Sequence, residues 1–596
     1  MFLRKSCEIG VSHVFTHFLS GKIFRFRFVF SIAVLFVAQY VVAQPTLEQQ
    51  QIQKRQDDLF RERQREQQLV RPDVRLGTDL HIATDTIPVD EATCFVINEI
   101  QLKAVDQGQE SSRSARRFQW ALQHILYPRQ ANDNARTATS PLLGKCYGAQ
   151  GINVIMRRIQ NAIIARGYVT TRIVTGPQDL KTGVLVLTVI PGRIHTIKTD
   201  RNRHLLPLEE GAILNLRHIE QALENMKSLP SVQTDIQIAP ASSPDAKLGD
   251  SDLIIVWKQG RPWRATASID NAGSEATSEE QASLTFTYDD LVNLNDTLTI
   301  SVGHDLGNAT PGPGGSDFYS IRYSFPFKNW SVSASVGENT FFQTIEGSFI
   351  DSRYRGESSN ASIELSRLIF RDSRRRINAG LQWWSRESKN FVEDTEFNNQ
   401  RREAEGYKVD LRYREFLGAT ILNASLSYRK ATKMDDQSIA LFSDDPNPTP
   451  ATFNANVSLD VPFALADTPL RYFFQWRLQN NLDPLSSQDY FTIGSRYNVR
   501  TGSASSSLSA ERGWYIRNDL DITFSPAVIT YLGLDYGEVG GRSFQPEWRN
   551  LTAGVIGLKG WIKGISYDLS LMSAINAPSG FQDSDNTIQF SLNYQF

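Results

Sequence analysis

The side chains able to do covalent or metal chemistry are few, and their spacing argues against it. The chain has three cysteines and eight histidines in 596 residues. No His/Cys spacing matches a zinc site. No Gly-x-Ser-x-Gly elbow would expose a serine nucleophile, and no Gly-x-x-x-x-Gly-Lys-Ser/Thr run would cradle phosphates. His13 and His17 lie in the N-terminal leader, and a lone His304 reads as a lumen or loop residue rather than a base. The sequence therefore predicts no catalytic residue, no metal and no cofactor, so the chain is not expected to be an enzyme. In the leader, Arg4, Lys5, Lys22, Arg25 and Arg27 precede an apolar run, Phe28 to Ala38, and the small residues of Val41-Val42-Ala43. This reads as a signal peptide over residues 1–43, cleaved after Ala43. Its removal takes Cys7 with it and leaves Cys94 and Cys146. An even pair in an exported chain points to one disulfide formed in an oxidising compartment.

Charge supplies the next constraint. The net charge is −2, so no polybasic surface argues for nucleic acid. Past the leader no run is long and apolar enough to cross a bilayer as a helix. A barrel escapes that test, because only alternate residues of its strands face lipid. Lys408, Asp410, Arg412 and Arg414 alternate with Tyr407, Val409, Leu411 and Tyr413. Burying such charges unpaired costs several kcal/mol each, so this face must meet a hydrated lumen or paired charges.

The elements that would hold these residues follow from the same alternation. It recurs at Leu298, Ile300 and Val302, at Leu422, Ala424, Leu426 and Tyr428, and at Ile588, Phe590, Leu592, Tyr594 and Phe596. About 16 such strands fit between residues 261 and 596. Aromatics near strand ends (Tyr288, Phe325, Trp330, Trp383, Trp384, Trp476, Trp514, Trp561) fit interfacial girdles. A transmembrane β-barrel of about 16 antiparallel strands is predicted, with terminal Phe596 as the signal that outer-membrane assembly machinery reads.

Ahead of the barrel, residues 44–70 are rich in Gln, Arg and Glu and predict a polar helix with little to bury against a core. Residues 71–80 read as a linker. Two small α+β units follow. In residues 81–192 the order is strand (Cys94 to Leu102), helix (Arg113 to Leu126), helix (Ile152, Ile155, Met156, Ile159, Ile163), then strands at Tyr168 to Val174 and Val184 to Ile190. Residues 193–260 repeat that order more briefly, with a helix on Ile219, Leu223 and Met226 and strands at Val232 to Ile238 and Leu253 to Trp257.

The run from Gly167-Tyr-Val-Thr-Thr-Arg to Ile190-Pro-Gly-Arg-Ile194 resembles the first periplasmic domain of two-partner secretion transporters, the TpsB family of hemolysin and filamentous-hemagglutinin transporters. Ile219-Glu-Gln-Ala-Leu-Glu-Asn-Met-Lys-Ser-Leu-Pro230 resembles their second polypeptide-transport-associated (POTRA) domain, and Asp270-Asn-Ala-Gly-Ser274 the motif that opens their barrel. The resemblance covers nearly the whole mature chain. It implies a pore-plugging N-terminal helix, two POTRA domains in the periplasm and a 16-stranded barrel in the Gram-negative outer membrane. It also implies a loop folded back into the pore, here about residues 482–512. Val499 and Arg500 match the family's Val-Arg-Gly-Phe/Tyr loop tip, whereas Thr501 stands where the family has Gly and Gly502 where it has an aromatic residue. The acidic partner of the loop arginine maps to Asp535, in Tyr531-Leu-Gly-Leu-Asp-Tyr-Gly537.

The activity so implied is export of one dedicated, unfolded partner protein from periplasm to cell surface without ATP, by a monomer inserted in lipid by the barrel-assembly machinery. Capture by strand addition would use two sheet edges: Tyr168, Val169, Thr170, Thr171, Arg172, Ile173 and Val174, and Val232, Gln233, Thr234, Asp235 and Ile236. The alternatives are an outer-membrane assembly factor of the same plan, which would carry more POTRA units, and a passive porin, which would leave the two modules unexplained.

Overall fold

The computed structural model describes residues 73–76, 87–126, 142–200 and 206–596, the last apart from 308, 311, 348, 437–448, 502–506, 542–546, 580 and 582–585. The leader, the polar helix of 44–70 and Gly502 lie outside the described residues.

The first unit is built from β1 (Phe95–Ile97), β2 (Glu99–Asp106), β3 (Gln109–Glu110), α1 (Ser112–Leu126), β4 (Lys145–Tyr147), α2 (Ala149–Ala165), β5 (Arg172–Val174) and β6 (Val184–Ile190). Its main sheet runs β3-β2-β6-β5, with β2 and β6 parallel. The predicted first strand is broken at Asn98 because its early residues pair elsewhere: β1 forms a ribbon with β4, and a disulfide joins Cys94 to Cys146 beside it. Ile152, Ile155, Ile159 and Ile163 recur at helical spacing and are buried, which fixes the inner face of α2. The Glu91 carboxylate accepts from the N–H groups of Gly148, Gln150 and Gly151 at the start of α2. The Gly151 bond above all holds this carboxyl below the usual carboxylate range, against the opposing pull of burial.

The second unit has β7 (Arg193–Lys198), α3 (Leu216–Lys227), β8 (Val232–Pro240) and β9 (Asp250–Gln259) in the sheet order β7-β9-β8. The Asn215 side chain caps α3 by accepting from Arg217 N–H. Residues 73–76 depart from the expectation of a plain linker. Val74 is buried in the core of the second unit and Leu76 packs against it, so two apolar side chains commit the segment to that unit.

Sixteen wall strands then close a barrel, from β10 (Trp263–Asp270) to Thr587–Gln595, with these two paired antiparallel. A two-residue piece, Thr395–Glu396, extends one hairpin. The wall is uneven. Its strands are 8 and 9 residues long at the seam but 20 and 18 at Ser352–Arg371 and Arg375–Val392. Leu284, Ile300, Ile321, Val336, Ile363 and Trp383 are exposed on the outer face, while Ser301, Asp410, Asp519 and Asp535 are buried within. Two aromatics leave the predicted girdle. Trp384 points inward beneath Arg429, 3.7 Å from the ring centre, and Trp561 lines a lumenal cavity. A one-residue step along a strand reverses the face, and Trp383-Trp384 straddles it. The charged face at 408–414 is satisfied by pairing: Arg412 reaches Asp410 at 2.7 Å and also contacts Glu364, and Lys408 lies 3.8 Å from Asp410. The chain ends with Phe596 half-exposed, its ring edge-on to Tyr594 and its N–H donating to the Ala265 carbonyl.

Candidate functional site: a loop tied inside the barrel

The segment between the wall strands Thr468–Asn481 and Arg512–Ser525 has its described residues, 482–501 and 507–511, in the lumen. A short ladder, Phe491–Ile493 against Leu508–Ala510, stiffens the loop. Its turn is organised by Asn498, whose Oδ1 accepts from the N–H groups of Gly494, Ser495 and Val499 and whose Nδ2 donates to the Thr492 carbonyl. The apolar side of the loop is no exposed surface. Val499 is fully buried with Phe491, Ile493, Leu508, Tyr515, Val539 and Leu551, so loop and wall share a core.

Beyond Val499 the chain turns Arg500 into the wall. Arg500 Nε and Nη2 donate to the two oxygens of Asp535 at 2.6 and 2.9 Å, and its backbone N–H adds a third bond at 3.1 Å. The sequence placed Arg500 and Asp535 together only through a resemblance. It missed a second carboxylate: Asp519, on the adjacent strand, lies 2.6 Å from Arg500 Nη2. Asp519 is itself held by Arg517 Nε at 3.1 Å. Arg500 is 1% exposed and Asp535 0%, so this contact is buried rather than set in open water. For a buried pair of this kind, loss of one partner costs about 3–5 kcal/mol.

Two glycines make the wall concave here. A Cβ at Gly533 would meet Arg500 Nη2 at 2.3 Å, and one at Gly537 would meet Val499 Cγ2 at 2.8 Å. Gly533, Asp535 and Gly537 share one face of a strand by period 2, so the seat for the tip was written in Gly-Leu-Asp-Tyr-Gly and could have been read from that alternation. Thr501 fits without special backbone freedom. It is fully buried, donates its N–H to the Val499 carbonyl at 3.0 Å, and is not among the non-glycine residues with positive φ.

The loop is tied at two further points. Asp489 accepts from Arg386 at 2.8 and 3.1 Å and from Arg429 at 3.3 Å, on two further wall strands. Arg496 reaches β10 and the last strand. The loop thereby divides the lumen: cavities of about 840 and about 610 Å³ lie beside it, and Tyr497 and Arg517 line both.

At the barrel end nearer the small units, Arg371 donates to Glu224 at 2.7 Å, Gln221 at 2.9 Å and the Val74 carbonyl at 2.7 Å, and lies 3.4 Å from Glu220. Arg376 also contacts Glu224, Arg414 contacts Asp73, and Arg75 stacks on Phe416 at 3.8 Å. The two small units are joined by Arg193, which grips Asp106 through bonds of 2.8 and 2.7 Å. That grip holds the Asp106 carboxyl below the usual carboxylate range, more than burial raises it.

The two predicted strand edges differ. Of 168–174 only Arg172–Val174 is strand. Thr171 is buried, and the Gln160 side chain donates to its carbonyl and accepts from Ile173 N–H at 2.6 and 2.8 Å. A glutamine amide from α2 therefore takes up backbone groups that an added strand would need. β8 pairs with β9 on one side and with no strand on the other among the described residues.

Residues 249–560 match the family described as haemolysin secretion/activation protein ShlB/FhaC/HecB. Residues 129–192 match the ShlB-type POTRA domain and 193–240 a further POTRA domain. The chain is 30% identical over 584 residues to the outer membrane transporter CdiB-2 of Burkholderia pseudomallei strain 1026b, covering 94% of this chain and 95% of that protein. It is 24% identical to the hemolysin transporter ShlB of Serratia marcescens over 70% of this chain and 75% of the other. Among solved structures, CdiB from Acinetobacter baumannii superposes with a TM-score of 0.77 at 26% identity, covering 93% of this chain and 99% of that one.

Proposed function

The chain belongs to the haemolysin secretion/activation family ShlB/FhaC/HecB, and from that premise we propose the following division of labour among its parts. The protein is an outer-membrane transporter of the two-partner secretion class, and it exports a partner protein to the cell surface. The partner is dedicated, travels as an unfolded chain and needs no ATP. Its folding outside the cell supplies the drive. The POTRA units in the periplasm receive it. β8 is the better landing edge, since backbone pairing needs no particular sequence and the Gln160 amide already occupies the other edge.

The observation that carries the gating part of this reading is the loop tied across the lumen by Asp489, Arg496 and Arg500. A chain in transit needs the space the loop occupies, so the loop must move, and Arg500 with Asp535 and Val499 is the catch that returns it. Residues 46–69 act as the plug of the resting pore. Phe596 serves insertion by the assembly machinery, and the transporter works as a monomer.

Comparing proteins released by cells with and without this chain tests the transport reading: one large protein should vanish from the surface and the medium. An unchanged profile would reject it. Deleting residues 46–69 should raise single-channel conductance in planar bilayers while secretion continues, and equal conductance would reject the plug.

A further inference from the structure

The barrel seam has a short ladder. β10 and the last strand pair over five residues, from Thr266↔Gln595 to Asp270↔Ser591, against eight on either flank. Above Asp270 the backbone ladder thins to one long bond, and side chains supplement it. The Asn271 amide donates to the Ile588 carbonyl and accepts from Phe590 N–H, both at 2.9 Å, standing in for one peptide group. The Phe590 carbonyl receives only a long bond from Asn271 N–H at 3.4 Å. Arg496 supplies the rest. Its Nη2 donates to that carbonyl at 3.3 Å and its Nη1 lies 3.7 Å from Asp270 on β10, with the side chain 15% exposed. One guanidinium thus bridges the first and last strands, and it belongs to neither.

We propose that Arg496 is a positioning residue that latches the seam from inside the pore, so that the loop's residence in the lumen holds the barrel closed and its withdrawal loosens β10 from the last strand. Arg496 sits on the same tight turn as Val499 and Arg500. When the Arg500 anchor lets go, the latch leaves with it. The seam would yield while the pore is carrying a chain and reseal when the loop returns. That timing rests on the gating part of the proposed function. The latch itself rests on geometry alone and needs no cargo to be tested.

The test is amide hydrogen exchange of the purified full-length protein in lipid nanodiscs, followed in peptides from the seam (263–271 and 587–596), the loop ladder (491–493 and 508–510) and the tall wall (352–371). Arg496→Ala should speed exchange in both seam peptides by about tenfold, as expected for one lost charge-assisted bond, and leave the tall wall unchanged. Arg500→Ala should speed exchange in the loop and also in the seam, although Arg500 touches neither seam strand. If Arg496→Ala fails to assemble, Asp270→Asn removes the ion pair alone and should give a smaller rise confined to the seam. Seam exchange equal to wild type in Arg496→Ala or in Asp270→Asn would overturn the latch. So would an Arg500→Ala protein whose loop exchanges freely while its seam stays protected. Either failure would leave the transport reading standing.

Discussion

Arg500 and Arg371 are both nearly buried arginines facing two carboxylates, 1% and 8% exposed respectively, yet they hold different kinds of joint. The carboxylates of Arg500, Asp535 and Asp519, stand on neighbouring strands of one wall, where the backbone ladder keeps them in place whether or not the arginine is present. The cluster is therefore a preformed socket, which is what the proposed gating requires of a site that a loop leaves and finds again. Glu220 and Glu224, which face Arg371, ride on α3 of a separate unit, and the same guanidinium also binds the Val74 carbonyl. Here three pieces of chain are aligned by the contact itself. The same chemistry joins a loop to two strands of one wall in the first case and a helix of a separate unit to the barrel in the second. Partner geometry, more than charge, separates the two roles.

The comparison can be broken most forcefully at the socket. Arg500→Ala leaves two carboxylates buried, a loss of about 3–5 kcal/mol. The barrel should still insert, and secretion should fall more than about tenfold as the tip comes loose. Normal secretion in a surface assay would show that the catch is not used. At the tie, Arg371→Ala leaves Arg217 and Arg376 beside the glutamates, so a smaller loss of about 1–3 kcal/mol is expected. Spin-label distances between α3 and the barrel rim should broaden while the loop tip stays seated. A distribution as narrow as wild type would make the tie redundant.

Gly533→Ala sharpens the socket without removing a charge. Its Cβ would push the Arg500 guanidinium from a 2.3 Å approach, which costs about 1–3 kcal/mol where nothing can shift. Faster exchange at 494–501 is expected; unchanged exchange would mean the arginine has room to retreat. The mildest test concerns the joint between the small units. Asp106 has a lowered carboxyl pKa in the fold, so its contribution is complete at neutral pH and is lost only as pH falls through that lowered value, below the usual carboxylate range. Acid titration should keep the two units coupled until then, and Asp106→Asn should remove that step. An identical acid transition in the variant would show that Asp106 does not govern it.

Much of this was legible in the order of residues. Alternation outlined the barrel because a strand in a membrane wall has a fixed period of two and faces lipid on one side, as at Leu298 to Val302. Isoleucines at helical spacing announced α2, and the even cysteine count anticipated the Cys94–Cys146 bridge now present beside β1. The misses have a common cause. Trp384 and Trp383 are neighbours with opposite faces, and which of them turns inward depends on register. Val74 looked like linker because its core belongs to residues more than a hundred positions away. Tyr168 to Thr171 looked like strand edge because nothing local reveals that Gln160 reaches across to close it.

The chain alone determined the architecture, since periodicity and turn chemistry act on near neighbours. It did not determine who meets Arg500. Asp535 entered through resemblance and Gly533 shares its face by alternation, but Asp519 came within reach only when two wall strands paired in one register, Asp519 opposite Gly533. A one-residue slip would turn that whole face toward lipid, so the socket exists only as a product of strand pairing.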